Sequence, residues 1–502
     1  MTQFPENRKK PTLDKDLDKM TRVEEAVNHL GQRFVAPGAA LLFLVVTALV
    51  ASSYAGGTPG AVITLAAAII GAYMAMNIGA KDVANNVGPA VGSKALPLTA
   101  ALIIAAICEV FGALITGGNV VETIASGIVD VRTVPDPHVF AWAMLGAILA
   151  AALLVNLSNL LKAPISTTHS IVGAVAGAGT AAFGVGAVDW ASLMGIALTW
   201  VLTPFISAFF AVALLAFINQ VIIDRDDKID AARKWVPVLL GVMAGVMTSY
   251  LMRFGLHRVI DVPSGVSLAT GLAVGLVAWR LCIPLIRNQS EGLENRNQSL
   301  RTLFQWPLIF AAALMSFGHG ANDVSNAIGP VVAIVRADYG NLNDVFAPAP
   351  QWVMLIGAFG LSCGILLFGP RLIRLVGEQI TKLNPMRGFC ISTSTALTVL
   401  TASHFGMPVS TTHTAIGAVF GVGFFREWYT AQGRKQQEAL RKSLAPADPS
   451  TDEPDENASE TRRRYLVRRS HFMTIIAAWI ITLPASAALA AALYAIIHLL
   501  FI

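Results

Sequence analysis

The sequence predicts a polytopic, all-α membrane protein made of two inverted-topology repeats, and three observations carry that reading. The 502 residues are 55% hydrophobic and only 13% charged, with 42 glycines, whereas soluble domains are about 25% charged. Apolar stretches long enough to cross a bilayer, roughly 20 residues each, recur along nearly the whole chain. Two polar motifs occur twice: GAKDVANNVGP at 79–89 returns as GANDVSNAIGP at 320–330, and APISTTHSIVGAVAGAG from Ala163 returns as MPVSTTHTAIGAVFGVG from Met407. The separation of Asp82 from Ser166 nearly equals that of Asp323 from Ser410, so both halves keep the motifs in one order.

Residues 1–34 mix both charge signs without an apolar core behind a basic start, which describes a cytoplasmic tail rather than a cleaved signal. Apolar stretches follow at roughly 35–54, 60–79, 97–117, 139–161, 165–187, 189–218, 236–254, 265–286, 306–320, 350–369, 386–404, 408–425 and 471–501. The chain divides into the tail, a first span (35–54), a first repeat (60–220), connecting spans and cytoplasmic loops (221–305), a second repeat (306–425), a charged cytoplasmic loop (426–470) and a C-terminal span (471–502). Letting every stretch cross once from a cytoplasmic N-terminus leaves Arg132, Arg253, Arg258 and Arg336 outside and the other loop Lys and Arg inside, as the positive-inside rule requires. An odd number of crossings then separates the two signature stretches, so the repeats face opposite ways, a common plan of secondary transporters in which discontinuous helices or hairpins meet near the midplane.

The formal charge of +5 does not point to nucleic acid, because the basic residues sit in loops between apolar segments. Cys108, Cys282, Cys363 and Cys390 are scattered singly through apolar sequence, as packing residues rather than a disulfide or zinc framework. The 426–470 segment carries an acidic block and then a basic one (Arg462, Arg463, Arg464, Arg468, Arg469), a flexible loop whose basic end suits anionic lipid.

In the first motif, Gly and Pro are expected to interrupt a helix at depth, where freed backbone groups need protein, ions or water as partners. Asp82 and Asp323 are carboxylates in apolar surroundings, where an unpaired charge costs on the order of 2.5 to 3.5 kcal/mol on insertion scales, so each needs a cation or a proton. Asn85, Asn86, Asn322 and Asn326 add amide oxygens that suit a hard cation such as sodium beside Asp82 and Asp323. In the second motif, proline followed by Ser166, Thr167 and Thr168, or by Ser410, Thr411 and Thr412, marks a helix N-terminus. Its free N–H groups, positive dipole end and hydroxyls suit a tetrahedral oxyanion; ordinary N-capping would use the same serines. His169 and His413, after each triplet, fit either a ring packed below the cap or a proton-handling role.

These four motif copies make the sequence resemble the inorganic phosphate transporter (PiT) family, whose signature is similar to GANDVANAxGP in both halves and whose other hallmark is PVSTTH. The resemblance spans about residues 60–425. It implies cation-coupled uptake of inorganic phosphate, driven by sodium or protons. It assigns Asp82, Asn85, Asp323, Asn322 and Asn326 to cation coupling and Ser166, Thr167, Thr168, Ser410, Thr411 and Thr412 to the anion. Three features depart from the family pattern: Lys81 stands where asparagine is usual, Ser392 where relatives often carry glutamate, and the span at 35–54 is additional. Lys81 beside Asp82 would be a coupling modulator, an ammonium in place of one coordinated cation.

The expected function is therefore secondary active phosphate uptake by alternating access across the inner (plasma) membrane, without enzymatic activity and without a cofactor other than the co-transported sodium ion or proton. No G-x-x-x-x-G-K-[ST] loop for ATP is present. The rivals are a sulfate permease of the same fold and, from other classes, an anion channel, a nutrient receptor or a membrane phosphotransferase. Expected partners are phosphate, the lipid bilayer and further copies of the chain in a homo-oligomer, with no nucleic acid.

Overall fold

The computed structural model describes residues 12–161, 163, 165–256, 260–340, 348–377, 384–444 and 469–501. Pro164, Lys162 and Arg258, and the acidic and basic blocks at 445–468, lie outside them. In the first half, α1 (Thr12–Ala55) leads into α2 (Ala61–Gly92), followed by α3 (Leu98–Thr116), α4 (Gly118–Ser126), α5 (Pro137–Leu161), α6 (Thr167–Phe183) and α7 (Trp190–Ile218). The connecting hairpin is α8 (Lys228–Tyr250) and α9 (Ser264–Gln289). The second half contains α10 (Leu300–Leu303), α11 (Gln305–Asp338), α12 (Gln351–Gly377), α13 (Pro385–His404), α14 (Thr411–Leu444) and α15 (Arg469–Phe501). Ten helical segments among the described residues are long and apolar enough to cross a membrane, and α6, α13 and α14 are not among them.

Those three fall short because their sequences serve the interior differently. Thr412, the second residue of α14, donates to Asp82 deep inside α2 at 3.1 Å. Thr167, the first residue of α6, donates to Asp323 near the midpoint of α11 at 3.2 Å. Both helices therefore begin at mid-depth, and α5–α6 and α13–α14 are hairpins that turn inside the protein. This corrects the count in which every apolar stretch crosses once. Gly406, at φ 68°, turns the second tip, where its carbonyl accepts from Thr123 Oγ1 at 2.6 Å.

A second correction concerns the first motif, which does not break its helix. Both α2 and α11 run unbroken through Gly79–Pro89 and Gly320–Pro330. Pro89 and Pro330 lack the N–H that would bond the carbonyl four residues back, and in each copy that carbonyl belongs to the signature asparagine, Asn85 or Asn326. The discontinuities lie instead at the hairpin tips and at Gly117 between α3 and α4. The expected loop from 426 also starts later, because α14 continues to Leu444.

The halves interlock by exchanging equivalent contacts. Gly79 of α2 and Gly364 of α12 each leave room for the other's helix, with Leu361 and Met76 against them; Gly320 of α11 and Gly112 of α3 do the same with Glu109 and Phe317. Likewise Gly173 and Gly177 of α6 pack on Leu483 and Ala487 of α15, while Gly417 and Gly421 of α14 pack on Pro204 and Ala208 of α7. Small residues permit such backbone approach between helices in lipid. The N-terminal span joins this frame at α2 and α12, where Tyr54 stacks on Trp352 at 5.5 Å.

Candidate functional site

The two long helices cross with their signature carboxylates turned inward, and each signature meets the hydroxyl triplet of the other half. Asn85 Nδ2 donates to Thr412 Oγ1 at 3.0 Å and to Asp82 Oδ1 at 3.3 Å. In the counterpart, Asn326 Nδ2 donates to Thr168 Oγ1 at 3.2 Å, and Thr168 donates to the Val409 carbonyl at 3.0 Å. The hairpin tips thus touch each other and both long helices. All of Asp82, Asp323, Asn326, Thr167, Thr168 and Thr411 are buried.

The triplets divide their labour by position. Ser166 and Ser410 are N-caps, accepting the His169 and His413 amide N–H at 3.3 Å in each copy. Thr167, Thr168 and Thr412 turn towards the carboxylates and amides of the opposite half. His169 and His413 pack ring to ring at 4.8 Å, each backed by a tryptophan, Trp200 at 3.8 Å and Trp479 at 3.9 Å. Trp200 Nε1 also donates to the Pro408 carbonyl at 2.8 Å, pinning one tip to the other half.

Asn322 is placed differently from its expected role. Its amide donates to Ser403 Oγ at 3.0 Å and the Met407 carbonyl at 3.1 Å, and its oxygen accepts the Val409 N–H at 3.2 Å. It fastens α11 to the tip of its own half. Lys81 holds the matching post on α2: its ammonium donates to the Ile165 carbonyl, and to Ser158 Oγ at 3.4 Å. The departure at position 81 thus preserves a tie to the hairpin while introducing a positive charge.

Two site residues were missed by motif reading. His319, one helical turn before Asp323, has Nδ1 2.8 Å from Glu109 Oε1 and Nε2 3.9 Å from Asp82 Oδ2 and 3.7 Å from Asp323 Oδ2. Glu109 also accepts from Asn86 Nδ2 at 2.7 Å. Glu109 and His319 are fully buried. The signal was available, since Glu109 is the one carboxylate in the apolar stretch 97–117 and an ionisable residue inside a span marks a functional site. In the equivalent positions stand Leu361 and Ile78, so this pair breaks the internal symmetry.

The donor set suits a hard cation. Asp82, His319 and Asp323 bring ligand atoms within 4.8 Å of one another. Asp82 Oδ2, Asp323 Oδ1, Asn86 Oδ1 and Asn326 Oδ1 are buried oxygens without a hydrogen bond among the described residues. Carboxylate, amide and freed backbone oxygens are the ligands such ions take. Ser392 Oγ, on α13, is buried and likewise unbonded.

The chain is similar to known proteins in sequence and in fold. A model described as the phosphate transporter family matches residues 78–490. The chain belongs to the phosphate transporter family. It is similar to a provisionally named phosphate permease of Helicobacter pylori strain J99, 39% identical over 94% of this chain and 96% of the relative. A like-named permease of Pyrococcus abyssi is 36% identical over 71% of this chain and 88% of its own length. A solved structure entitled "The sodium-dependent phosphate transporter" superposes with a TM-score of 0.76 at 30% identity, covering 88% of this chain and all of that one. The family is one of transporters, not enzymes, and the chain is a multi-pass membrane protein of a family typical of the plasma membrane.

Proposed function

We propose that the protein takes up inorganic phosphate together with a cation, by alternating access. The observation that carries this reading is the crossing of the two halves: each carboxylate signature faces the other half's helix N-terminus, so an oxyanion held by Thr167, Thr168, Thr411 and Thr412 would sit beside Asp82 and Asp323. Two carboxylates and an anion at low dielectric require compensating charge. Cations therefore enter with the anion, and Asp82, Asn85, Asp323 and Asn326 supply their oxygens, with Asn322 holding the frame. The sodium dependence named for the structural relative supports sodium as one such ion. His319, between three carboxylates, supplies one positive charge of its own when protonated.

Counting α5–α6 and α13–α14 as hairpins, the helices α2, α3, α7, α8 and α9 cross between the two signatures, an odd set, which supports inverted repeats. The exchanged glycine contacts supply two matched interfaces on which one half could rock against the other. Uptake of labelled phosphate and sulfate into proteoliposomes, with sodium or proton gradients imposed separately, tests the reading. Phosphate accumulation that follows one of these gradients is expected. Equal flux without any gradient would instead identify a channel, and preference for sulfate would overturn the substrate.

A further inference from the structure

Tyr73, Asn77, Lys81 and Asn85 follow one another at helical spacing along a single face of α2, and all four are only partly buried while the residues between them are buried. One turn further, a side chain at Gly88 would meet open space. The equivalent face of α11 is Leu314, Gly318, Asn322, Asn326 and Gly329; from Gly318 onward it is buried, and Gly329 packs on Ile124. Of two helices built on one motif, only α2 leaves a polar strip open. Across the strip stand Asn156 and Asn159 of α5. Asn156 Nδ2 donates to Tyr73 Oη at 2.5 Å and Asn77 Oδ1 at 3.3 Å, and Asn159 Nδ2 to Asn77 Oδ1 at 3.5 Å.

Amides and an ammonium exposed at this depth cannot face hydrocarbon without large cost; exposed polar groups there line water-filled cavities. Lys81 sits on the strip between the amide cluster and Asp82. An ammonium has three N–H donors; two are directed at the Ile165 carbonyl and Ser158, which leaves one for a ligand. Asn77 Nδ2 donates once, to the Tyr73 carbonyl at 2.9 Å, and likewise keeps one N–H, as an anion requires.

We propose that this face of α2 is an access path with its own anion subsite, where Lys81 and Asn77 take a tetrahedral oxyanion before it reaches the Asp82–Thr412 centre. The inference rests on the phosphate-uptake reading and adds where the anion first binds and on which helix. Lys81 then acts on the anion, by attraction from bulk water, rather than as a stand-in for a cation beside Asp82. The competing view makes the amides interhelical glue between α2 and α5.

Proteoliposome uptake and thiol labelling separate the two. Lys81→Met should raise KM for phosphate about tenfold, and by more than it lowers the maximal rate; the wild-type KM should rise with ionic strength, and that of Lys81→Met much less. Asn77→Cys should react with a membrane-impermeant thiol reagent and be protected by inorganic phosphate, while Leu314→Cys, its counterpart on α11, should not react. Labelling needs no transport, so it is also read in an Asp82→Asn background. Labelled and protected Asn77→Cys with normal uptake by Asp82→Asn would remove the transport site while leaving the subsite standing. An unreactive Asn77→Cys, or a Lys81→Met whose KM and salt dependence match wild type, would overturn the subsite.

Discussion

α2 and α11 carry the same motif and meet the same kind of partner, yet their surroundings differ. α11 is buried along nearly its full second half, with His319 and Glu109 closing its flank, whereas α2 keeps one polar face open and has Ile78 and Leu361 in the corresponding places. The two helices share a motif, but α11 adds a buried histidine to the shared carboxylates while α2 leaves polar groups partly open. Lys81 opposite Asn322 is the clearest instance. Both tie a long helix to its hairpin tip, but only the lysine brings a charge to the open side.

The largest expected effect tests whether the two signatures remain equivalent despite this. Asp82→Asn and Asp323→Asn should each reduce phosphate transport by about an order of magnitude or more, with folded protein still recovered from the membrane, since each keeps the side-chain volume and removes the negative charge that holds the cation. If one variant transports normally, the halves have divided the coupling between them unequally. If both do, the carboxylate centre is wrong.

Next comes the pair that breaks the symmetry. His319→Leu leaves Glu109 buried with only Asn86 as partner, and removing one member of a buried pair costs about 3 to 5 kcal/mol. A marked fall in thermal unfolding temperature in detergent is expected, partly reversed by adding Glu109→Gln, which removes the stranded charge. A double variant no more stable than His319→Leu would show that the two residues do not depend on each other.

The hydroxyls act on anion affinity rather than on the charge of the centre. Thr168→Val and Thr412→Val preserve shape and delete a donor, and a hydrogen bond to a charged group contributes about 1.5 to 3 kcal/mol. Phosphate affinity should weaken accordingly in both, measured by binding or by KM. An unchanged affinity in both variants would restrict the triplets to helix capping, the role Ser166 and Ser410 already perform.

Much of this is legible in the sequence. The apolar composition fixed the solvent, and the duplicated polar motifs named Asp82, Asp323 and both triplets. Sequence could not tell that each signature would face the other half's triplet, because that depends on helices far apart in the chain. Nor could it distinguish a crossing from a hairpin turning at mid-depth: α6 is as apolar as a span, and only its first residues' contact with α11 reveals where it starts. Gly and Pro in the signature suggested a break, yet both long helices run through it. His319 and Glu109 were visible as ionisable residues in apolar sequence but lie far apart in the chain, and only the fold shows that they meet.

The smallest effect lies where the two hairpins begin. α5 opens with Asp136 followed by Pro137, and α13 with Asn384 followed by Pro385, each cap accepting the N–H two residues on, at 2.8 Å from His138 and 3.2 Å from Met386. Proline at the first helical position and a cap before it are the usual start signal, so the hairpins start by one device in two charge states. A carboxylate at a helix N-terminus gains about 0.3 to 1 kcal/mol over a neutral group at low ionic strength, and salt screens that gain. Asp136→Asn should therefore lower the unfolding temperature slightly at low salt and hardly at all at high salt, since the amide still caps. Asp136→Ala and Asn384→Ala should each cost more, about 0.5 to 2 kcal/mol, with little salt dependence for Asn384→Ala. Equal salt responses at the two positions would mean that the charge at Asp136 adds nothing to its hydrogen bond.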